Sequence, residues 1–223
     1  MGCSVNQIQS VFSALLVCCC LCALSQGTEL RSVTCGSVVK LLNIRHNVRL
    51  HSHDVRYGSG SGQQSVTGVT TVDDSNSYWT VRGKSNTVCQ RGAAVKCGQT
   101  IRLTHVNTGR NLHSHRFTSP LSSNQEVSAF GDEGEGDLLD DWTVLCAGEV
   151  WEREEAVRLR HTATDALLSV TGEQYGRPIN GQREVHAMPQ ASQHNFWRAM
   201  EGVFMKPSLQ QLRASAAQLH SEL

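Results

Sequence analysis

The sequence is poor in aromatic residues and proline, and it has no excess charge of either sign. Aromatics make up 5% of the 223 residues, only 4 residues are proline, and 20 Lys and Arg balance 20 Asp and Glu. A broad phosphate-binding face needs a basic excess, so we expect no nucleic-acid partner. With 19 glycines, the composition suits a turn-rich β protein better than a helical bundle.

The sequence also lacks the short motifs of common active sites. It contains no Gly-x-Ser-x-Gly, no Gly-x-x-x-x-Gly-Lys and no His-Glu-x-x-His. An Asn-x-Ser/Thr sequon is missing, and no long apolar run follows residue 24. We therefore expect no enzyme activity, no cofactor, no metal, no N-glycan and no membrane insertion.

The nine cysteines fall into two groups. Five lie in the first 22 residues, within or beside the apolar run from Val11 to Leu24, which is short for a membrane span and typical of a secretory signal peptide. We place that peptide at residues 1–27, with small residues for cleavage near its end. Four cysteines remain, an even number that predicts two disulfides in an oxidising compartment. None of the four forms a CxxC pair.

Three copies of one unit follow the signal peptide. Leu50-His51-Ser52-His53 recurs as Leu112-His113-Ser114-His115, 62 residues later, and Trp79 recurs as Trp142 after 63 residues. In a third copy, Leu167-Leu168-Ser169 is matched to Leu112-His113-Ser114 at an offset of 55. The predicted repeats span residues 33–88, 95–150 and 151–204, and a C-terminal tail spans 205–223.

Each unit predicts about four strands. The alternation of Val157, Leu159 and His161 with Arg158 and Arg160 is the period-2 pattern of a half-buried strand. No unit can bury its apolar face alone, so three units predict an all-β protein, a β-trefoil with one shared core over residues 33–204. A three-bladed propeller is the alternative, but propellers need at least four blades.

The remaining cysteines stand at the ends of the first two units. Cys35 and Cys97 open these units, and Cys89 and Cys146 close them. Of the three connectivities that four cysteines allow, we predict Cys35 with Cys89 and Cys97 with Cys146. Cys89 with Cys97 would instead staple a linker.

The unit pattern, with its opening strand, Leu-His-Ser-His, Gln-rich loop and Trp, resembles the MIR repeat family. That family includes protein O-mannosyltransferases, intracellular calcium-release channels and small luminal proteins. Resemblance to the luminal members implies three MIR repeats, residence in the endoplasmic reticulum lumen, and binding of unfolded clients in quality control with a J-domain co-chaperone and the luminal Hsp70. A carbohydrate-binding lectin and an accessory factor of O-mannosylation are the alternative functions. Either alternative would give the protein a glycan ligand.

The C-terminus resembles a luminal retrieval signal. The tail ends in His220-Ser221-Glu222-Leu223, and a KDEL-type receptor reads such an address. Ser221 stands where the usual signal carries Asp, so we also expect partial secretion.

Repeated histidines are the most tempting metal ligands. His51 with His53, and His113 with His115, share a strand face, but the repeat alignment puts Leu168 and Val170 at these positions of the third copy. With no carboxylate or thiolate to complete a ligand set, we favour packing or hydrogen bonding. We expect His105 and His161, which correspond to Asn43, to bond the backbone of a turn. Threefold recurrence predicts that the tryptophans, Trp197 included, are core anchors.

An acidic segment, Asp132 to Asp141, holds six carboxylates and is the only strong local charge. It lacks the ligand order of a calcium loop. A solvated loop is one interpretation, and an electrostatic docking surface for a basic partner is the other. We take Asp132, Glu133, Glu135 and Asp137 as the candidate partner-docking residues.

Overall fold

The computed structural model describes residues 31–208 and residue 213. The predicted signal peptide, residues 1–27, and the predicted retrieval signal, residues 220–223, lie outside the described residues. The strands are β1 (Val38–Asn43), β2 (Val48–Arg56), β3 (Gln64–Val69), β4 (Trp79–Gly83), β5 (Thr100–His105), β6 (Asn111–Thr118), β7 (Gln125–Phe130), β8 (Trp142–Leu145), β9 (Arg158–His161), β10 (Leu167–Gln174), β11 (Arg183–Met188) and β12 (Trp197–Val203). The expected all-β class is confirmed.

The strands form three groups of four, and all belong to one sheet. The hairpins β2–β3, β6–β7 and β10–β11 bring β3, β7 and β11 together, where each pairs with the other two. Consecutive groups are joined by the antiparallel pairs β4–β5 and β8–β9, and β12 pairs with β1. The last group therefore contacts the first along the sheet.

A 3-10 helix precedes the last strand of each group. These helices span Ser75–Ser77, Leu138–Asp140 and Gln193–Asn195. Each is followed within two residues by a tryptophan that opens the strand.

Burial follows the strand period. In β9, Leu159 and His161 are fully buried, whereas Arg158 and Arg160 are partly exposed. Burial of alternate residues places one face of the strand in the shared core and leaves the other at the surface. The predicted orientation of this strand is confirmed.

The tryptophans fix equivalent points of the three groups. Trp79, Trp142 and Trp197 are all fully buried, as predicted for core anchors. Each indole Nε1 donates a hydrogen bond to a leucine backbone oxygen, in the order Leu50, Leu112 and Leu168, at 2.9, 2.9 and 2.8 Å. These bonds satisfy the only polar atom of each indole inside the core.

The same bonds correct the alignment of the third repeat. Leu168 is equivalent to Leu112, which is an offset of 56 and not 55. The strand register agrees, because Val170 opposes Val185 as Ser114 opposes Val127. The places of His113 and His115 are therefore taken by Ser169 and Thr171, and the prediction of Leu168 and Val170 there was wrong. A match of short apolar runs cannot distinguish a one-residue slip, although the slip exchanges the two faces of the strand.

Two disulfides link the cysteines in the pairing that the repeat map predicts. Cys35 is bonded to Cys89 across 54 residues, and Cys97 to Cys146 across 49 residues. In the chain-entropy account, closing loops of this length stabilises the fold by about 4 kcal/mol each.

Candidate functional site

The acidic segment lies between β7 and β8, and backbone contacts hold it in place. Asp132 and Glu135 bond each other through their backbones, and Gly134 N donates to Gly109 O at 2.6 Å. The Gly134 carbonyl accepts hydrogen bonds from Arg102 and Asn111. The segment connecting β7 to β8 covers residues 131–141, against 70–78 and 189–196 in the other two groups. It is thus a longer connection with a fixed backbone.

Two of its six carboxylates are buried, which the solvated-loop interpretation does not predict. Asp140 is fully buried, accepts from Asp137 N at 2.8 Å and caps the 3-10 helix reciprocally with Asp137. Asp141 is 6% exposed and accepts from the Ser85 backbone N–H at 2.8 Å. Ser85 Oγ also donates to Asp137 O, so the acidic segment is tied to the loop that follows β4.

The four predicted docking residues remain exposed. They are Asp132, Glu133, Glu135 and Asp137. Within residues 31–208, no Lys or Arg forms an ion pair with any of them, and His113 Nδ1 lies 3.8 Å from Asp137 Oδ1. The structure therefore brings these side chains together on a fixed backbone, without a Lys or Arg ion-pair partner among the described residues.

The His-Ser-His histidines contact carboxylates. His51 Nδ1 lies 2.8 Å from Asp74 Oδ2, and His113 Nδ1 lies 2.8 Å from Asp140 Oδ1. We expected no carboxylate to complete a ligand set with these histidines. Carboxylates do lie beside them, because the acids come from the connection before the last strand of the group, which folds back onto the hairpin. In the third group the Asn195 amide donates to Ser169 Oγ, so the equivalent contact joins two uncharged side chains.

One of these histidine–carboxylate contacts has the composition of a metal site. Ligand atoms of His113, Asp137 and Asp140 lie within 4.8 Å of one another, the only such group among the described residues. Hydrogen bonds already occupy them: His113 faces Asp140, Asp140 caps the turn and Asp137 Oδ1 accepts from Leu139 N at 2.8 Å. In this arrangement the side chains hold the connection between β7 and β8 against β6 by hydrogen bonds.

His105 and His161 bond turn backbones, as predicted. His105 Nε2 lies 2.9 Å from Asn76 O and His161 Nε2 lies 2.9 Å from Leu139 O. Asn43 donates to His194 O at 2.8 Å, the same place in the third 3-10 helix. Burial lowers the pKa of His105 to about 4, and burial also lowers the pKa of His161. Both imidazoles are therefore neutral at physiological pH, with one nitrogen donating to the turn carbonyl.

Buried glutamates that the sequence did not single out hold two hairpin loops. Glu126 accepts from Ser61 and from His115 Nε2, and Glu184 accepts from the backbone N–H groups of Leu121 and Ser122. Burial disfavours the charged form of Glu126, but the hydrogen bonds outweigh it and lower its pKa. Each glutamate precedes the central valine of its strand, and that placement is the signal by which they could have been found.

A groove opens beside the acidic segment. Its volume is about 700 Å³, and its lining includes residues 80–83 of β4, residues 85–89, Arg102 and Thr104 of β5, and residues 135–138. Arg82 and Arg102 lie in it, as do the exposed side chains of Val88 and Leu138. We call it the inter-repeat groove. Sequence reasoning missed it because β4 and β5 belong to different repeats and meet only by strand pairing.

No helix in the part of the chain that the structure describes is long and apolar enough to cross a membrane. Comparison with known proteins adds the following likenesses. Residues 40–195 match the MIR domain family. Stromal cell-derived factor 2 of Homo sapiens is 75% identical over 197 residues, covering 88% of this chain and 92% of that protein.

Two solved structures also resemble this chain. The crystal structure of the SDF2-like protein from Arabidopsis thaliana has a TM-score of 0.77 at 45% identity, covering 79% of this chain and 99% of that one. The protein O-mannosyltransferase Pmt1-Pmt2 complex of S. cerevisiae, bound to the sugar donor, has a TM-score of 0.68 at 24% identity, covering 87% of this chain and 31% of that one. From the extent of the MIR match and the identity over most of its length, the chain belongs to the stromal cell-derived factor 2 family of MIR-domain proteins.

Proposed function

We propose that this chain is a non-catalytic component of protein quality control in the endoplasmic reticulum lumen. In this role it binds unfolded clients within a complex of a J-domain co-chaperone and the luminal Hsp70. Family membership supports the proposal, and the two disulfides suit an oxidising compartment. The predicted signal peptide and retrieval tail agree with a luminal address.

For the scaffold we propose a β-trefoil of three MIR repeats. The supporting observation is the threefold pattern of strand pairing, with three hairpins meeting through β3, β7 and β11 and the remaining strands linking one group to the next. In such a scaffold the core fixes the strands, and connections between them can diverge to form binding surfaces.

The observation that carries the docking proposal is the state of the acidic segment. Its backbone is fixed by bonds to Gly109, Arg102 and Ser85, while its four exposed carboxylates have no Lys or Arg partner among the described residues. A preorganised charged surface loses little conformational entropy on binding and steers a partner of opposite charge. We propose that a basic patch of the co-chaperone docks here.

Neutralising the four docking residues tests this proposal. We expect the variant Asp132→Asn, Glu133→Gln, Glu135→Gln and Asp137→Asn to keep its fold and to capture the purified J-domain co-chaperone more weakly. The loss is expected chiefly in the association rate and should shrink as salt screens the charges. Surface-capture kinetics at low and high salt measure both effects.

The matched control neutralises exposed glutamates elsewhere, namely Glu149, Glu152, Glu155 and Glu173. It changes the net charge equally but leaves the acidic segment intact. Equal weakening by both variants would indicate a general charge effect and reject the assignment of the segment. Failure of the unchanged protein to capture the co-chaperone would reject the adaptor function itself.

The luminal address has its own test. Removing residues 220–223 should increase secretion from cells, because retrieval depends on a receptor that reads the C-terminal residues. Restoring Asp by Ser221→Asp should reduce secretion below that of the natural sequence. Unchanged secretion in both variants would mean that retrieval does not hold the protein.

Accessory function in O-mannosylation is the second candidate, favoured by the fold likeness to the O-mannosyltransferase chain. It differs from the first in requiring a sugar or an acceptor peptide. A glycan array with the purified protein separates the two, because a quality-control adaptor needs no glycan specificity.

A further inference from the structure

The floor of the inter-repeat groove holds two arginines side by side. Arg82 of β4 directly opposes Arg102 of β5 in the strand register. Like charges at directly opposed positions destabilise a sheet unless another group compensates them. The floor is therefore cationic and rich in hydrogen-bond donors.

Backbone carbonyls and a glycine hold these guanidinium groups. Arg102 is 8% exposed and donates to Gly83 O at 3.1 Å and to Gly134 O at 3.3 Å. The Arg82 guanidinium lies against Gly134, where an added Cβ would overlap its Nη1. No carboxylate within residues 31–208 forms an ion pair with either arginine. Arg82 thus presents donors to the groove that no acidic side chain of the described chain uses.

The walls have a different chemistry. Glu135 and Asp137 line the groove and are exposed, next to Leu138, which is 66% exposed. Val88, in the loop that follows β4, also lines the groove and is 96% exposed. One groove therefore combines donors in its floor with acceptors and apolar groups on its walls.

We propose that the inter-repeat groove binds an extended polypeptide segment in which basic residues flank an apolar side chain. Backbone carbonyls of the segment accept from the Arg82 guanidinium, and its Lys or Arg side chains pair with Glu135 and Asp137. The apolar side chain packs between Val88 and Leu138. This inference rests on the proposed function, since it names the chemistry of the segment that the co-chaperone presents to the acidic segment.

The complementarity of charge is what commits the groove to this occupant. The carboxylates of the rim match the basic side chains of such a segment, and the donors of the floor match its neutral backbone carbonyls. An acidic peptide would instead be repelled by the exposed carboxylates of the rim. A volume of about 700 Å³ lies within the usual range of roughly 300–1,000 Å³ for ligand sites.

Fluorescence anisotropy with labelled peptides and the purified full chain tests the proposal. The probes are a nine-residue peptide with Lys on both sides of a central Leu, the same peptide with Glu in place of Lys, and the same peptide with Ser in place of Leu. We expect the Lys–Leu probe to bind at least about tenfold more tightly than either of the others. Equal binding of the acidic probe would overturn the charge assignment.

Two protein variants locate the site. Val88→Asn with Leu138→Asn should weaken binding of the Lys–Leu probe about tenfold, and Arg82→Met should weaken it as well. Val72→Asn with Val203→Asn is the control, since these exposed valines lie outside the groove lining. Weakening by the control to the same degree would overturn the location, as would displacement of the probe by an oligosaccharide but not by unlabelled peptide.

The test of the groove proposal can fail or succeed independently of the test of the proposed function. If the protein binds the Lys–Leu probe in the groove but does not capture the co-chaperone, the groove is supported and the adaptor function fails. If it captures the co-chaperone but binds none of the probes, the groove proposal is overturned while the adaptor function stands.

Discussion

At the scale of single residues, the three repeats make equivalent hydrogen bonds with different side chains. A carbonyl at the 3-10 helix before each tryptophan needs a donor, and Asn43, His105 and His161 supply it. A buried carbonyl left without a donor costs about 1–3 kcal/mol. The three repeats thus share this hydrogen bond and differ in the residue type that donates it.

Substitution of His105 measures this requirement. His105→Leu removes the donor to Asn76 O and the bond to Thr108 Oγ1, so we expect a loss of about 1–3 kcal/mol in the free energy of unfolding. His105→Asn copies the first repeat and should cost less. Urea denaturation of both variants gives the two values. A larger loss for Asn than for Leu would contradict a hydrogen-bonding role.

Burial of these imidazoles also predicts the pH dependence of stability. The pKa of His105 is lowered to about 4 by burial, and burial lowers the pKa of His161, so the folded state holds both neutral. In the unfolded chain histidine titrates near pH 6.5, roughly. The unfolded state therefore binds more protons below that pH, and stability falls as the pH is lowered from about 6.5 toward 4.

Urea midpoints measured between pH 5 and 7 should show this slope. Each histidine contributes at most about 1.4 kcal/mol per pH unit. His105→Asn removes one of the titrating groups, so its slope should be smaller than that of the unchanged protein. Identical slopes would mean that His105 does not contribute.

At the scale of elements, the sequence predicted what repeats and missed contacts between segments that are distant along the chain, both within a repeat and across repeats. Alternation in β9 and the recurrence of tryptophan were enough to place strands and core anchors. The contact of His113 with Asp140 was not visible, because their approach depends on how the connection between β7 and β8 folds back over β6. For the same reason the pairing of Arg82 with Arg102, and with it the groove, could not be predicted from either repeat alone.

The acidic segment shows how one backbone position can fix an element. Gly134 has a φ of +82°, a backbone conformation that residues with a Cβ rarely adopt, and a Cβ there would also require the end of the flexible Arg82 side chain to move. Gly134→Ala should therefore displace the segment, with a loss of about 1–3 kcal/mol in stability and faster amide exchange at residues 132–137.

Gly176→Ala is the matched control. Gly176 lies in the loop between β10 and β11, its φ is not positive, and its Cβ would meet nothing within 4 Å. Comparable loss in both variants would show that the effect of Gly134→Ala is generic. Unchanged amide exchange in Gly134→Ala would show that the segment does not need this glycine.

At the scale of the whole molecule, no group of four strands is closed by itself. β12 of the last group pairs with β1 of the first, and β11 pairs with both β3 and β7. The third group also supplies to the shared core the fully or almost fully buried side chains of Val157, Leu159, Leu168, Val170, Val185 and Trp197. The three groups should therefore fold as one cooperative unit.

Truncation tests this interdependence. A chain of residues 31–150 keeps β1–β8 and both disulfides but loses the third group. Each buried aliphatic or aromatic side chain contributes about 1.5–3 kcal/mol, so six of them amount to on the order of 10 kcal/mol. That is comparable with the roughly 5–15 kcal/mol by which domains are stable. We expect this chain to show no cooperative thermal transition and rapid proteolysis, whereas residues 31–208, with all twelve strands, should unfold in one transition. A protease-resistant 31–150 chain with buried tryptophan fluorescence would contradict the single-unit prediction, because it would mean that two groups can close the sheet without the third.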